Sequence, residues 1–195
     1  MDLTTLKQRI QSSRVAGYID NVAMNFDNLT IETDVKFLNS IINFLYNDCN
    51  FKILIDIFGV DYLDQNKRFN VIYNLLSLRH NLRLCIKIYV DEATPVPSII
   101  KLYSAACWYE REVYDMYGVK FLGNPSMGRI LSDYDFEGHP LRKDFPLTGY
   151  LEVRYDIEKK KVTYEPVQLE QEFRNFDFLS PWEGMEYPDE SNNQE

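Results

Sequence analysis

The chain has 195 residues, 45% of them hydrophobic, with 21 basic against 30 acidic side chains and a net charge of −9 at pH 7. That length and apolar share suit one domain with a sizeable core and room for an arm. The acid excess argues against a phosphate-binding surface and so against nucleic acid, and no apolar run approaches the roughly 20 residues that a membrane span needs.

Leu3, Leu6 and Ile10 recur at helical spacing, so residues 3–14 read as a short amphipathic helix. Met1 to Arg14 has neither an apolar signal-type run nor the Arg- and Ser-rich, acid-poor pattern of a transit peptide, so the chain is expected to act in the compartment that makes it. Residues 18–24 and 29–33 read as two strands around the turn pair Asp27-Asn28. Thr33 or Asp34 can cap the next helix by accepting one of its free N–H groups. Val35, Leu38, Ile41, Ile42 and Leu45 form that helix's apolar stripe.

Three strands are expected next. In residues 51–60, Phe51, Ile53, Ile55 and Ile57 fall on one face, with Leu54 and Phe58 on the other. A polar turn, Asp61 to Lys67, leads to a strand at 69–78. Arg79-His80-Asn81 then leads to a cleanly alternating strand at 82–90, with one face packed and one wet. Connections this short predict an antiparallel meander. Pro97 suits the first turn of a helix of about 20 residues carrying Ile99, Leu102, Ala106, Tyr109, Val113 and Met116, closed by Gly118 as a left-handed cap. The fold class is α+β, a mainly antiparallel sheet packed with helices.

From Val119 the periodicity ends. Pro125, Pro140 and Pro146, with Gly123, Gly128, Gly138 and Gly149, make a long irregular loop, and loops of such length in compact domains are usually functional or bound to something. The expected organisation is a core domain at 1–118, then a charged and aromatic loop region at 119–156 packed on it. That region ends in a short strand, and an extended C-terminal arm follows at 157–195. On the arm, Phe173, Phe176, Phe178 and Trp182 are costly to leave in water and imply docking.

Glu110, Arg111, Glu112 and Asp115 sit at one helix end, with Arg111 and Asp115 at i, i+4 spacing. Acid/base catalysis needs carboxylates whose environments separate their pKa values, whereas a salt-bridged helix terminus needs only the charges. His139 stands among Asp133, Asp135, Glu137 and Asp144. It reads as a loop histidine donating to a carbonyl or carboxylate ahead of a metal ligand, since no second histidine lies nearer than His80. Arg142 and Lys143 read as internally paired, with Asp144 beside them, ahead of an anion site. Cys49, Cys85 and Cys107 form no cluster-binding run and indicate a reducing compartment. No phosphate-binding glycine loop follows a strand. Asn (15), Ile (15), Tyr (14), Phe (12) and Lys (11) are used heavily against Gly (8), Pro (8) and Arg (10), the codon signature of an AT-rich genome such as an organelle's.

The run Glu110-Arg-Glu-Val-Tyr-Asp-Met-Tyr-Gly118 and the segment from Asp133 to Asp156, with its Phe-Glu-Gly-His-Pro-Leu-Arg-Lys-Asp-Phe-Pro-Leu-Thr-Gly, carry a resemblance. Phe51 to Tyr62, Asn74 to Ser77 and Gln171 to Glu183 extend it over most of the chain. The chain resembles the 30 kDa subunit (NuoC, or NADH dehydrogenase subunit 9) family of respiratory NADH:ubiquinone oxidoreductase, complex I, in its mitochondrial and purple-bacterial form. It departs from the family's usual pattern at Asn124, Gly128 and Asp135.

The resemblance implies a non-catalytic subunit of the peripheral arm that holds no cofactor, while the complex as a whole carries FMN, iron–sulfur clusters and ubiquinone. It implies the 49 kDa and 20 kDa subunits as partners, on the matrix side of the mitochondrial inner membrane or the cytoplasmic face of a bacterial one. Interface roles then fall to Glu110, Arg111, Glu112, Asp115, Asp133, Glu137, His139, Arg142, Lys143, Asp144, Phe173, Phe176 and Trp182. The alternatives are a subunit of a related membrane-bound hydrogenase and a cofactor-free acid/base enzyme using Glu110, Glu112 and His139.

Overall fold

The structure, a computed structural model, describes residues 2–26 and 28–171. The chain divides into two compact units, Met1–Gly149 and Tyr150–Glu195.

In the first unit, α1 (Leu3–Gln11) starts at Asp2, whose carboxylate accepts the Thr5 N–H at 2.9 Å, and buries Leu6 and Ile10. Strand β1 (Ile19–Asn25) runs antiparallel to β2 (Asn28–Thr33). Asp34 then caps a 3₁₀ turn (Val35–Phe37) through the Lys36 N–H, and α2 (Leu38–Asn47) follows with Leu38, Ile41, Ile42, Phe44 and Leu45 buried. β3 (Ile53–Asp61), β4 (Phe69–Ser77) and β5 (Leu82–Val90) form the expected antiparallel meander.

The sheet order is β1-β2-β5-β4-β3, so β2 joins β5, and it does so in parallel. This single parallel joint makes an otherwise antiparallel sheet mixed, because the chain passes through α2 to the far edge before returning strand by strand. Leu29, Ile31, Leu84, Ile86, Ile88, Val71, Tyr73 and Leu75 line the inner face against Leu6, Ile41, Leu45, Phe51 and Val113. Each such aliphatic side chain contributes about 1.5–3 kcal/mol by leaving water. β5 alternates as expected, with Leu84, Ile86, Ile88 and Val90 buried and the side chains between them partly exposed.

Two expectations are corrected. In β3 the register slips between Leu54 and Asp56, leaving Ile55 unpaired opposite β4. A bulge of this kind shifts the alternation by one residue, so Leu54 and Ile57 are buried while Ile55 is 38% exposed. The long helix from Pro97 does not form. Val96–Pro97 is instead strand β6, parallel to β7 (Phe121–Leu122), and α3 spans only Ala106–Tyr117. The N–H groups of Val96 and Ser98 go to the Lys120 and Leu122 carbonyls, and that of Ile99 goes to the Glu110 carboxylate. The pairing with β7 holds Val96 and Pro97 extended, which a helix starting at Pro97 would give up.

The second unit contains β8 (Leu151–Asp156), where a last strand was expected, paired antiparallel with β9 (Lys161–Pro166) in the segment read as the start of the arm. Asp156 holds the turn between them by accepting the Glu158 and Lys159 N–H groups, each at 3.0 Å. Phe173, Phe176, Phe178 and Trp182 lie outside the described residues. Among the described residues, no helix is long and apolar enough to cross a membrane.

Candidate functional site

An α-helix leaves its last four carbonyls without partners inside the helix and carries partial negative charge at that end. α3 ends at Gly118, at φ +83°, whose N–H bonds the Tyr114 carbonyl. The remaining carbonyls are taken by the loop beyond. The Asp115 carbonyl accepts from Arg129 Nη1 at 3.1 Å and from His139 Nδ1 at 2.9 Å. The Met116 carbonyl accepts the Leu141 N–H, and the Tyr117 carbonyl accepts Arg142 Nε at 2.7 Å. The irregular segment Gly-His-Pro-Leu-Arg is therefore a helix cap, with two guanidiniums at the negative end of the helix.

Asp115 is the second anchor of that loop. Its side chain is fully buried, and Oδ2 accepts the backbone N–H groups of Ile130, Leu131 and Ser132 at 2.8–2.9 Å while Oδ1 accepts Arg129 Nη1 at 2.9 Å. Burial by itself raises a carboxyl pKa; here the Ser132 N–H, the Arg129 guanidinium and the Ile130 and Leu131 N–H groups outweigh it and hold Asp115 well below the usual range. Arg129 also donates to the Phe136 carbonyl at 2.7 Å. The expected Arg111–Asp115 pair does not form, because Arg111 turns to the Gly128 and Arg129 carbonyls.

A third anchor ties the loop to the sheet. Asp61, at the end of β3, is fully buried and takes Arg68 Nε and Nη2 at 2.7 Å each, together with the Lys143 N–H at 2.7 Å. The Arg68 guanidinium, more than the Lys143 N–H, keeps the Asp61 pKa low against the effect of burial. Arg68 reaches on to Asp144 at 2.6 Å and to Glu92 at 3.0 Å, and Glu92 meets Arg142 at 3.5 Å. The Arg68 and Arg142 guanidiniums lie 5.2 and 5.1 Å from the centre of the buried Phe69 ring, within cation–π range.

Glu110 is buried inside α3 and takes the Ile99 N–H at 2.9 Å and Asn124 Nδ2 at 3.0 Å. Burial pushes its pKa up. Asn124, a departure noted in the sequence, is thus the residue that joins the loop to Glu110. Burial pushes the His139 pKa down, against its bond to the Asp115 carbonyl, and that bond fixes the proton on Nδ1. Its ring meets Tyr114 edge-on. The placing of His139 as a donor to a backbone carbonyl agrees with the sequence reading.

The structure thus gathers Asp115, His139, Arg142, Asp144 and the backbone of Lys143 around α3 and the β3–β4 turn. Asp144 pairs with Arg68, not with its neighbours Arg142 and Lys143 as expected. Glu112, Asp133 and Glu137 are exposed. The trio Glu110, Glu112 and His139 is not assembled for acid/base work: Glu110 holds the 98–99 turn, His139 holds a carbonyl, and Glu112 faces outward. Asp61, Arg68, Glu92 and Arg129 were missed, because each reads locally as an ordinary turn or loop charge. Among the described residues, no group of three or more His, Cys, Asp or Glu side chains is placed to hold a metal. Cys49, Cys85 and Cys107 are free thiols.

Outward, the same loop shows Leu131 (65% exposed), Tyr134 (82%), Leu141 (51%) and Leu147 (85%). Arg129 and Arg142 are thus turned in, while these apolar groups face out beside the exposed Asp133, Asp135, Glu137 and Lys143, more large apolar surface than a surface loop usually shows.

The sequence model described as respiratory-chain NADH dehydrogenase, 30 Kd subunit, matches residues 31–151. A NADH-quinone oxidoreductase subunit of Methylobacterium radiotolerans is 58% identical over 167 residues, spanning 85% of this chain and 78% of that one. Its counterpart in Methylobacterium sp. (strain 4-46) is 53% identical over 187 residues, spanning 95% and 86%. Among solved structures, the trypsin-resistant fragment 1–134 of Nqo5 superposes with a TM-score of 0.54 at 30% identity, covering 62% of this chain and 98% of that one. A chain of the membrane-bound sulfane sulfur reductase, an archaeal respiratory membrane complex, does so at 0.62 and 24% identity over 74% and 85%, a likeness of fold.

Proposed function

The chain belongs to the 30 kDa subunit family of respiratory-chain NADH dehydrogenase, and from that membership we propose that it is a structural subunit of the peripheral arm of complex I, the proton-translocating NADH:quinone oxidoreductase. It takes part in the enzyme as a subunit and holds no cofactor of its own. FMN, the iron–sulfur clusters and ubiquinone are handled by other subunits. Its contribution to electron transfer is to keep the quinone-reducing module in position.

One observation carries this reading. Arg129 and Arg142 cap α3, Asp144 and the Lys143 N–H tie the loop to Arg68 and Asp61, and Leu131, Tyr134, Leu141 and Leu147 face out. An active site needs polar groups aimed at a substrate; a docking surface needs a rigid base and an apolar exterior. The loop 119–149 and the arm 164–182 are the proposed contacts, with the 49 kDa and 20 kDa subunits as partners. The location proposed is the matrix side of the mitochondrial inner membrane, and support for it is the AT-type residue usage. The relatives named above are bacterial, and the equivalent site there is the cytoplasmic face of the cell membrane.

The test is a native gel of membranes solubilised in mild detergent, blotted for this chain and stained for NADH oxidation. Co-migration with a very large NADH-oxidising band is expected, and a chain found only near 23 kDa refutes the proposal. Arg142→Ala is expected to reduce the amount of complex while each complex formed keeps its turnover. Loss of turnover in His139→Ala with assembly intact would favour the acid/base enzyme instead.

A further inference from the structure

The stretch from Ile130 to Phe136 is clamped at both ends. Asp115 holds the N–H groups of Ile130, Leu131 and Ser132. Further on, Arg129 Nη2 donates to the Phe136 carbonyl at 2.7 Å, with its guanidinium 5.6 Å from the centre of the Phe136 ring. That ring also meets Phe145, 5.8 Å away between centroids. Between the clamps the chain turns, and the Phe136 N–H reaches the Asp133 carbonyl at 3.0 Å. Tyr134 is a central residue of this turn and stands 82% exposed. A large ring is thus held out in water by buried anchors, as the anchor of an interface is.

The charge around it has one sign. Asp133 and Asp135 flank Tyr134, Glu137 follows, and all three are exposed. The nearby bases Arg129 and Arg142 are engaged with Asp115, Glu92 and the last carbonyls of α3. Over residues 130–144 the exposed charged side chains are Asp133, Asp135, Glu137 and Asp144 against Lys143 alone.

We propose that Tyr134 enters an apolar pocket on a neighbouring subunit of the same complex, where Arg or Lys side chains at the rim meet Asp135 and Glu137. The inference rests on the subunit reading above and adds the anchor residue and the chemistry of its partner. The charge chooses the occupant. An acidic face repels phosphate backbones and anionic lipid headgroups. A second copy presenting the same turn brings the same acids, and like charges set against each other oppose association. The complement is a protein surface of opposite sign. The ring sets the pocket: tyrosine offers a large contact area with few rotatable bonds, and the clamped turn is ordered before it binds.

Incorporation into the NADH-oxidising band of a native gel tests this. Tyr134→Ala is expected to lower it at least about tenfold, as truncating an aromatic anchor does, and Tyr134→Phe, which keeps the ring, to assemble like wild type. Asp135→Asn with Glu137→Gln is expected to lower incorporation, and Asp135→Lys with Glu137→Lys to lower it further, at least about tenfold. The melting temperature of the purified chain should stay unchanged in each, since the altered side chains are exposed. Asp20→Lys, the same reversal at an exposed position of β1, is expected to assemble normally.

A lower melting temperature for purified Tyr134→Ala overturns the proposal, since the ring then packs within the chain. Full or improved incorporation of the Asn/Gln and Lys pairs excludes a basic rim. An equal loss in Asp20→Lys makes the effect one of net charge, and a dimer of the purified chain that Tyr134→Ala abolishes names a second copy as the occupant; either overturns it. If wild-type chain co-migrates with the NADH-oxidising band yet Tyr134→Ala incorporates fully, this inference alone fails. If wild type does not co-migrate, the subunit reading fails first.

Discussion

Arg68 and Asp144 are 76 positions apart and are joined by two charge-assisted bonds, Nη2 to Oδ1 at 2.6 Å and Nη1 to Oδ2 at 3.1 Å. The pair clamps the far end of the irregular loop onto the start of β4, and Arg68 shares its guanidinium with the buried Asp61. The two acids are unequal partners. Asp61 has no exposed side-chain surface, while Asp144 is about half exposed.

Arg68→Ala should therefore cost about 3–5 kcal/mol, the cost of leaving a buried charge uncompensated. Asp144→Asn should cost no more than about 1 kcal/mol, as a solvent-screened pair does. Urea unfolding of the purified chain measures both, and similar values for the two would refute the division between buried and exposed arms of the cluster.

Asp115→Asn replaces a carboxylate that organises three N–H groups and a guanidinium. The amide retains the shape but offers a donor where acceptors are needed and leaves Arg129 unbalanced. A loss of about 3 kcal/mol is expected. Hydrogen exchange should show the 130–132 amides opening before the sheet; unchanged protection there would count against the anchor role.

Gly118 and Gly128 make a paired test. Gly118 sits at φ +83°, and an added Cβ would meet Arg142 Nη2 and His139 Nε2, each at 2.6 Å. Gly118→Ala should cost at least about 1–2 kcal/mol from the left-handed conformation alone, with the displaced cap added to that. A Cβ on Gly128 would meet only Arg111 Nη2 at 3.6 Å, an ordinary contact, so Gly128→Ala should stay within about 0.5 kcal/mol of wild type. Thermal melts of the two variants separate the cases.

Stability should fall in two steps as the medium is acidified. His139 has its pKa lowered from 6.5 on folding, so the unfolded chain binds the proton first, and stability drops as pH falls below about 6.5 towards the folded value. Asp61 and Asp115 are lowered from 3.8; their contribution is complete above that value and is lost as pH falls below it. Glu110 runs the other way, since its raised pKa makes it destabilising as pH climbs past 4.5. Unfolding free energies measured from about pH 8 to about pH 3 should show both steps. His139→Gln should flatten the upper one, with His80→Gln as control, because the partly exposed His80 shares the direction of shift.

Where a pattern is local, the sequence was a sufficient guide. The alternation of Leu82 to Val90, the Asp34 cap, the left-handed Gly118 and the reversal between β1 and β2 were legible because neighbours within a few positions determine them. Ile55 was misplaced because a bulge, which no propensity marks, moved the alternation. The helix expected from Pro97 was lost to competition: strand pairing with β7 took Val96 and Pro97, and the Val96, Ser98 and Ile99 N–H groups found Lys120, Leu122 and Glu110, groups up to some two dozen positions away. The charged loop was recognised as special for its composition, and its resemblance named the family. Its partners were not legible, because an Asp–Arg pair has no period.

By itself the sequence determined the class of fold, the membership of the family and the segment that matters, since these rest on hydrophobic period, turn chemistry and an irregular motif too long for chance. Only the tertiary structure decided which charges meet. It put Asp115 under Arg129, Asp61 under Arg68 and the Gly-His-Pro-Leu-Arg run over the end of α3. Coulomb attraction and hydrogen bonding act through space over a few ångströms, and chain topology alone brings residues 61, 68 and 144 within that reach.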